Sequence, residues 1–355
     1  MNISIRKMKP EEAAEVTKIA KKAFGFLEGL FLTNQKEALV AVDGDNLLGG
    51  VYYSTGKQSG KKFGKIDYIF TDPAAQGRGA GKLLCKAAVK HLWEQGCDYL
   101  LTYVRDDNVA SWGLFIENGF VRTDFVKLIK GTGLLGAVRQ YFLLNTFLFS
   151  LGHEMYIAMP STEQSTPLEK PKSVLLQLAF FSLMPLLFIL PNIDWENVEG
   201  LPLVLVALGV IFPGYALASF VGSLFSFKRK WRFRFTGGGA PLAFLISLFS
   251  GGVTPMVGTW YPAKYENTPE FKRDMGIQAV FGWVYLIAIA VTGRLLGGPF
   301  WNTVAGVTFI LLIYRCILVV PFSSYDNMRV WRWSRILFFI IAAISLGTAL
   351  WLLLG

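Results

Sequence analysis

The chain has 355 residues, of which 53% are hydrophobic and 17% are charged, and its formal net charge is +10. This length is sufficient for two domains with separate cores. The three cysteines, Cys85, Cys97 and Cys316, are an odd number spread over both halves, which argues against a disulfide framework. Basic residues are densest at 228–234, between apolar segments, so the charge indicates a loop that faces anionic lipid and not a nucleic-acid groove.

The two halves of the chain differ in composition. Residues 1–130 mix charged residues with short apolar runs, as soluble α/β proteins do, whereas long uncharged stretches dominate from Ser173 onward. The segment from Met1 to Glu15 is charged and lacks the apolar stretch of a secretory signal. We therefore expect the first half to stay in the cytoplasm and later segments to direct insertion into a membrane.

Strands and helices alternate in the predicted N-terminal half. Residues 3–8 alternate in polarity as a strand does, and a helix from Pro10 to about Phe24 opens with proline and two acids. The other predicted strands are 37–43, 47–54, 65–71, 99–104, 120–128 and 153–159, and the other predicted helices are 82–94 and 108–117.

A glycine-rich loop separates the strand that ends at Thr71 from the helix after it. Glycines at 77, 79 and 81 let the backbone approach a ligand closely, and the N-terminus of the following helix suits a pyrophosphate. An ordinary glycine turn has the same composition. A Rossmann dinucleotide site needs an acid at the end of the next strand, and that strand ends at Val104.

The order of these motifs resembles the GNAT acetyltransferase family over about residues 3–159. The resemblance rests on Asp72-Pro73, on Gln76-Gly77-Arg78-Gly79-Ala80-Gly81 before a helix, and on Asn108 followed by Asn118-Gly119-Phe120. It implies a GNAT fold, which is a mixed, mostly antiparallel sheet flanked by helices, and acetyl-CoA as co-substrate. The cofactor-binding residues that it implies are Ile69, Phe70, Thr71, Gln76, Gly77, Arg78, Gly79, Ala80, Gly81, Asn108 and Phe115.

The resemblance also implies direct transfer, in which a deprotonated amine attacks the thioester while backbone N–H groups polarise its carbonyl. Asp67 matches the position where many members carry a carboxylate, so it is the candidate base, although a solvated or substrate-binding role fits it too. Phe115 stands where many members have a tyrosine that protonates the leaving thiolate. Either Tyr103 or a water replaces that tyrosine, the thiolate leaves unassisted, or the domain binds the cofactor without turning it over.

Residues 131–150 form an apolar insert before the last predicted strand of this half. One interpretation is a pair of core helices that cover the sheet; the other is a surface that dips into a membrane interface or caps the acceptor site. The two histidines, His91 and His153, have no neighbouring metal-ligand residues in the sequence, so no metal site is predicted.

The sequence of the C-terminal half predicts an all-α polytopic membrane domain over 173–355. A polar, proline-bearing linker at 160–172 joins this domain to the N-terminal domain. Each uncharged stretch approaches or exceeds the roughly 20 residues that cross a hydrocarbon core, which gives five or six spans. Charge favours five spans with 236–263 re-entrant, because Arg329, Arg332 and Arg335 then stay on the same side as the basic cluster. The uncharged stretches are 173–193, 200–227, 236–263, 275–292, 295–314 and 336–355.

Residues 200–335 resemble, more weakly, the site-2-type (M50) membrane metalloproteases, but this chain lacks the zinc ligands of that family. Asp326 matches the aspartate of the second protease motif, whereas Ile211, Phe212 and Tyr215 replace the histidines and glutamate of the first. Arg315 lies within or beside a span, where it either reaches the membrane surface or lines a cavity for an anionic lipid or substrate group.

The sequence thus predicts an integral protein of the cell membrane whose cytoplasmic GNAT domain acetylates an amine of a membrane-proximal acceptor. Lipid-linked, peptide and small-molecule amines all remain open as acceptors, as does the oligomeric state, and membrane lipids are expected partners. The alternative is a regulator that senses acetyl-CoA or binds a partner without catalysis.

Overall fold

The computed structural model describes residues 3–354 except for 25–28, 30–31, 34, 36, 59, 106–107, 124–132, 134, 137–138, 141–152, 161–170, 197–198, 227, 236–239, 263–267 and 318–325. The chain divides into an N-terminal unit (1–104, 110–145 and 154–167) and a C-terminal unit, which includes all residues from Leu168 onward together with 105–109 and 146–153. Most of the predicted linker and most of the predicted insert lie outside the described residues.

The N-terminal unit alternates strands and helices in the predicted order. Each strand and helix begins and ends as follows: β1 Ile3–Lys7, α1 Ala13–Phe24, β2 Ala38–Asp43, β3 Asn46–Gln58, β4 Lys61–Thr71, α2 Ala80–Glu94, β5 Tyr99–Arg105, α3 Val109–Glu117, β6 Val121–Thr123 and β7 His153–Ala158.

Among the described residues, seven strands form one sheet in the order β1-β2-β3-β4-β5-β7-β6. Strands β1 to β4 pair antiparallel with their neighbours, β4 and β5 pair parallel, and β6 and β7 pair antiparallel. This is the mixed, mostly antiparallel α/β sheet that the sequence predicts. The parallel pair of β4 and β5 lies in the middle of the sheet, and the candidate site is built at the point where their pairing ends.

Helices pack against this sheet with apolar faces. On α1, Val16 and Ala20 are buried against Tyr52 and Phe70, and the Thr17 hydroxyl lies 3.0 Å from the Tyr52 hydroxyl. Helix α2 buries Leu84, Cys85, Ala88 and Leu92. Gly64 lets this helix approach β4, since a Cβ there would lie 3.0 Å from Leu92.

Strands β3 and β4 are longer than predicted. The prediction ended one strand at Ser54 and began the next at Lys65, whereas the ladder continues to Gln58 and Lys61. The sequence between them is rich in glycine, lysine and serine, which hides the alternation of a strand. Main-chain pairing extends the hairpin regardless of that composition, and Gly60 turns it with a φ of 78°.

The C-terminal unit consists of apolar helices and one short hairpin. The bounds of these elements are α4 Pro171–Phe188, α5 Leu201–Leu224, β8 Trp231–Phe235, α6 Ala240–Phe249, β9 Gly258–Pro262, α7 Pro269–Leu296, α8 Gly298–Cys316, α9 Asp326–Trp333 and α10 Arg335–Leu354.

The prediction that this half is all-α is wrong, because β8 and β9 form a two-stranded antiparallel sheet. The stretch Trp231–Phe235 alternates aromatic residues and arginines with the period of a strand, and Phe233 is fully buried. The high density of positive charge had indicated a loop there. Period-two alternation of aromatic and basic residues is the stronger signal, since a strand can bury one face and solvate the other.

The helices of the C-terminal unit pack around large buried side chains. Trp283 of α7 is fully buried, and its indole N–H donates to the Ser345 hydroxyl of α10 at 2.9 Å. Gly282 permits close contact between α5 and α7, because a Cβ there would lie 2.3 Å from the Ser219 hydroxyl. Within the described residues, four helices are long and apolar enough to cross a membrane by length and composition, namely Val174–Asn192, Leu201–Leu224, Pro269–Leu296 and Arg335–Leu354.

An ion pair at the start of the chain gives a pH prediction. Arg6 binds Glu12 through two hydrogen bonds of 2.6 and 2.8 Å, and the Lys9 N–H donates to Glu12 at 2.9 Å. The Arg6 hydrogen bond lowers the pKa of Glu12 from 4.5 to about 2. A carboxyl with a lowered pKa stabilises the fold above its unfolded pKa, and this stabilisation is lost as the pH falls through its folded pKa.

We expect Glu12→Gln to lower the free energy of unfolding by about 1 kcal/mol near neutral pH. The difference from the unaltered chain should shrink below pH 4.5 and vanish near pH 2. Unfolding of the full chain in neutral detergent, followed over this pH range, measures it. Glu11→Gln removes the same charge from the exposed neighbouring residue, and an equal loss in that control would contradict the assignment.

Candidate active site

The central feature of the site is a separation of two strands. Parallel pairing of β4 with β5 runs from Phe63 and Tyr99 to Ile66 and Thr102. Both strands then continue beyond the last paired residues, β4 to Thr71 and β5 to Arg105. Among the described residues the sheet therefore opens in a V, and the edge of β4 that faces away from β3 at Ile69–Thr71 can pair with an extended ligand.

The Thr102 side chain marks the point where the V begins. Its hydroxyl, which is buried, donates to the Ile66 carbonyl oxygen at 2.9 Å. On the other side of β4, Tyr52 pairs with Tyr68 and Tyr53 pairs with Ile66, which leaves Asp67 as the extra residue of a β-bulge. A bulge bends a strand and re-aims its groups, and bulges are common beside active sites. Asp67 thus lies where the two strands part.

The glycine loop follows β4 directly. Gly77 and Gly79 have φ values of 81° and 83°, and Gly79 is the residue that precedes the first turn of α2. Residues 76–79 are exposed, and a Cβ on Gly77 or Gly79 would meet nothing within 4 Å. Positive φ, not crowding inside the chain, therefore requires these glycines. The first N–H groups of a helix have no intrahelical acceptor, so this loop presents donors to an anion.

Asp72 fixes the entry to this loop. Its carboxylate accepts a hydrogen bond from the Ala74 N–H at 2.8 Å and pairs with Lys22 at 2.9 Å. The Ala74 hydrogen bond and then Lys22 lower the pKa of Asp72, so this side chain is ionised at neutral pH. The Asp-Pro dipeptide of the motif is thereby a capped turn between strand and loop.

Asp67, the candidate base, is engaged by two neighbours. Its carboxylate accepts a hydrogen bond from the Ser54 hydroxyl at 2.9 Å, and Lys65 lies 2.7 Å away. The side chain keeps about a quarter of its surface exposed, at 23%. A general base needs a free oxygen within reach of the proton that it abstracts. Proton transfer to Asp67 therefore requires a substrate amine that competes with Lys65 for this carboxylate.

Tyr103, the candidate acid, lies on the opposite arm of the V. Its hydroxyl donates to the Gln140 carbonyl oxygen at 2.6 Å. Burial raises the pKa of Tyr103, which makes the phenol a weaker acid than usual. The geometry shows a hydroxyl held by the chain, so an acid role requires the Gln140 bond to open.

Two glutamines that the sequence did not single out line this side of the sheet. Gln140 is 1% exposed, and its amide donates to the Tyr99 hydroxyl at 2.9 Å. The Gln58 amide donates to the Gly136 carbonyl oxygen at 3.0 Å. The described residues of the predicted insert thus contact β3 and β5. The available signal for Gln140 was a polar pair, Arg139-Gln140, in a mostly apolar stretch.

Phe115 is a core residue of the turn between α3 and β6. It is buried, its ring packs edge-on against Phe120 at 5.1 Å, and its carbonyl oxygen accepts from the Asn118 and Phe120 N–H groups. A phenylalanine there stabilises the turn and has no proton to give. Asn108 lies immediately before α3, and Ile69–Thr71 form the last residues of β4. Among the described residues, no group of three or more His, Cys, Asp or Glu side chains could hold a metal ion.

Part of the N-terminal half is similar in sequence to known proteins. Residues 6–120 match the sequence profile of the Acetyltransferase (GNAT) family. The mycothiol acetyltransferase of Gordonia bronchialis is 38% identical over 95 residues, which cover 27% of this chain and 28% of that protein. The mycothiol acetyltransferase of Geodermatophilus obscurus is 35% identical over 86 residues, which cover 23% of this chain and 28% of that protein.

Solved structures show a weaker likeness. The ribosomal-protein-S18-alanine N-acetyltransferase from Escherichia coli is 16% identical and covers 46% of this chain and 96% of its own, with a TM-score of 0.33. At this TM-score the likeness adds nothing to the family match. The chain spans less than a third of the two mycothiol acetyltransferases, and the family match ends at residue 120.

Proposed function

From the GNAT acetyltransferase domain at residues 6–120, we propose that the chain is a membrane-anchored N-acetyltransferase that moves an acetyl group from acetyl-CoA to an amine. One observation carries this proposal. The V between β4 and β5 leads along Ile69–Thr71 to the exposed loop at 76–79, which directly precedes helix α2. An extended pantetheine arm and a pyrophosphate need that succession of an open strand and a helix N-terminus.

In this proposal the donor is held mainly by main-chain groups. The pantetheine amides pair with main-chain groups on the side of β4 that faces away from β3, along Ile69, Phe70 and Thr71. The diphosphate accepts hydrogen bonds from the main-chain N–H groups of residues 76–81. Gly77 and Gly79 carry no side chain, so the phosphates can approach the backbone closely. Arg78 is exposed in the same loop and adds positive charge.

The chemical step forms a bond between the amine nitrogen and the acetyl carbonyl carbon and breaks the carbon–sulfur bond. Charge develops on the carbonyl oxygen, and a main-chain N–H re-aimed by the bulge at Asp67 would stabilise it. The amine proton passes to Asp67 once the amine has displaced Lys65, and the sulfur leaves as thiolate. Tyr103 or a water supplies the thiolate proton, because Phe115 has no hydroxyl.

The proposal places the C-terminal unit in a membrane. Its long helices expose large apolar side chains, among them Leu175, Leu187, Ile336 and Phe339, which lipid would cover. Pairing of Phe235 with Gly258 and of Trp231 with Pro262 brings both ends of 236–257 side by side. A segment that starts and ends at one level, with a ten-residue helix between, supports the re-entrant arrangement over a full span.

A second candidate function is an acetyl-CoA-binding regulator without turnover. The buried Phe115 favours it, as do the hydrogen bonds that occupy Asp67 and Tyr103. The proposed likeness to M50-type proteins fits this function as well, since Ile211, Phe212 and Tyr215 are buried core residues. Binding of coenzyme A without release of thiol in the presence of any amine would support the regulator over the enzyme.

The glycine loop gives the first test. Gly79→Ala places a Cβ at a φ of 83° and in the path of the proposed phosphates, so we expect acetyl-CoA to bind about tenfold or more weakly. Gly96→Ala is the matched control, because Gly96 also has a positive φ of 72° and open space but lies at the other end of α2. Calorimetric titration of the full chain in detergent measures both. Equal affinity for acetyl-CoA in the two variants would show that the glycine loop does not contact the donor.

Asp67 gives the second test. Asp67→Asn keeps an oxygen for the Ser54 hydroxyl but cannot take a proton, so we expect kcat/KM to fall by about 100-fold or more. Affinity for acetyl-CoA should stay unchanged. Release of coenzyme A thiol with a panel of amines is the assay. Asp98→Asn alters a carboxylate that binds the Lys62 N–H at the closed end of the V, and it should leave turnover intact. A change in KM alone for Asp67→Asn would indicate a positioning role.

Topology gives the third test. Single cysteines at Asp194, in the acidic loop, and at Lys230, in the basic cluster, should differ in labelling by a membrane-impermeant maleimide added to intact cells. Labelling at 194 and protection at 230 are expected if the GNAT domain is cytoplasmic. Labelling at 230 would contradict the proposed orientation, and labelling of neither site or of both before lysis would contradict the proposed first two spans.

A further inference from the structure

The N-terminal unit holds a primary amine of its own at the candidate base. Lys65 Nζ lies 2.7 Å from Asp67 Oδ1, which is the length of a charge-assisted hydrogen bond. The Ser54 hydroxyl donates to the other carboxylate oxygen, Oδ2, at 2.9 Å. One oxygen of Asp67 therefore binds a neutral hydroxyl, and the other binds the kind of group that the proposed reaction acetylates.

Strand register places this amine where the V opens. Lys65 pairs with Leu101 of β5, one position before the last paired residues, Ile66 and Thr102. Its Nζ nevertheless lies 5.8 Å from the centre of the Tyr103 ring, and Tyr103 comes after the last paired residue of β5. The lysine side chain thus leans along the strand, from the paired part of the ladder toward the region where the two strands part.

The Lys65 amine is held in place and is still accessible. The side chains of Lys65 and Asp67 keep 19% and 23% of their surface exposed, so neither is sealed in the core. An ion pair with this exposure is weak, because solvent screens it. Lysine also carries its charge on a flexible four-carbon stem, which lets the amine turn away from the carboxylate. A base within hydrogen-bond reach and freedom to approach a reactant are what an amine nucleophile needs.

We infer that Lys65 is a modification site, at which the chain acetylates its own amine with acetyl-CoA. This inference rests on the proposed function, because it needs the thioester in the V. The Lys65 ammonium loses one proton to Asp67 and a second to water as Nζ bonds to the acetyl carbonyl carbon. The carbon–sulfur bond breaks, and its electron pair leaves on sulfur. The thiolate takes up one of the two protons through solvent, and the other is released.

Acetylation of Lys65 changes the state of Asp67. The ammonium becomes a neutral amide, which cannot form an ion pair. Asp67 then keeps the hydrogen bond from Ser54 on Oδ2, while Oδ1 becomes open to an incoming amine. The modification removes the group that a substrate amine has to displace. The acetylated chain is therefore the more active form of the enzyme.

Mass spectrometry of the full chain tests the modification. The chain in neutral detergent is incubated with acetyl-CoA and no added amine, and its peptides are mapped over time. We expect acetylation of Lys65 to be about tenfold or more faster than that of Lys82. Lys82 is the matched control, because its amine also lies 2.7 Å from a carboxylate, that of Glu117, but it is 67% exposed. Acetylation by simple collision with acetyl-CoA would favour Lys82, so an equal or faster rate there would overturn the inference, as would an unmodified Lys65.

Two variants test the effect on Asp67. Lys65→Arg keeps the positive charge but has no nucleophilic amine, whereas Lys65→Gln is neutral, as acetyl-lysine is. Incubation with acetyl-CoA should raise kcat/KM of the unaltered chain for a small amine by about threefold or more, and it should change neither variant. Lys65→Gln should exceed Lys65→Arg by a similar factor. Equal kcat/KM in the two variants would contradict the release of Asp67.

A binding measurement separates this inference from the proposed function. Acetyl-CoA is titrated into the full chain by calorimetry, and thiol release is followed with the panel of amines. Binding and turnover of added amines with an unmodified Lys65 would overturn self-acetylation and leave the proposed function intact. Modification of Lys65 without turnover of any added amine would support self-acetylation alone. Absence of binding would overturn both.

Discussion

The separation of β4 from β5 is the constraint on which the N-terminal site depends. Two parallel strands that stayed paired to their ends would bury the main-chain groups of residues 67–71 in a ladder, and an extended ligand would find no partner there. The Thr102 hydroxyl satisfies the Ile66 carbonyl oxygen at the last paired position, so the sheet can open without leaving that group unpaired. The bulge at Asp67 lies at the same point, and bulges bend the strand that carries them.

The V brings together two side chains that other parts of the chain already hold. Asp67 and Tyr103 lie on its two arms, and each is hydrogen-bonded within the chain. Such bonds hold a site in a resting arrangement, and a substrate amine or a bound thioester would have to replace them. The proposed donor binding relies instead on main-chain groups and on glycines with positive φ, whose positions do not depend on any side-chain rearrangement.

In the C-terminal unit, a short hairpin has the organising role that the V has in the N-terminal unit. Strands β8 and β9 pair the two ends of a segment whose middle is a ten-residue helix. Thr259 and Tyr261 of β9 then contact Asp326 and Arg329 of α9, and Gln278 of α7 bridges Arg329 and Thr259. The hairpin therefore links apolar helices through polar contacts between β9, α7 and α9.

The sequence alone determined the features that depend on near neighbours. Strand and helix periodicity, the glycine loop and the lengths of the apolar stretches are local, so the order of elements and the place of the proposed donor site could be predicted. Tertiary structure decided the bulge at Asp67, the bonds that engage Asp67 and Tyr103, the role of Gln140, the pairing of β8 with β9 and the burial of Arg315. Nearly all of these unite residues that lie far apart in the chain, and no local pattern records which distant groups will meet.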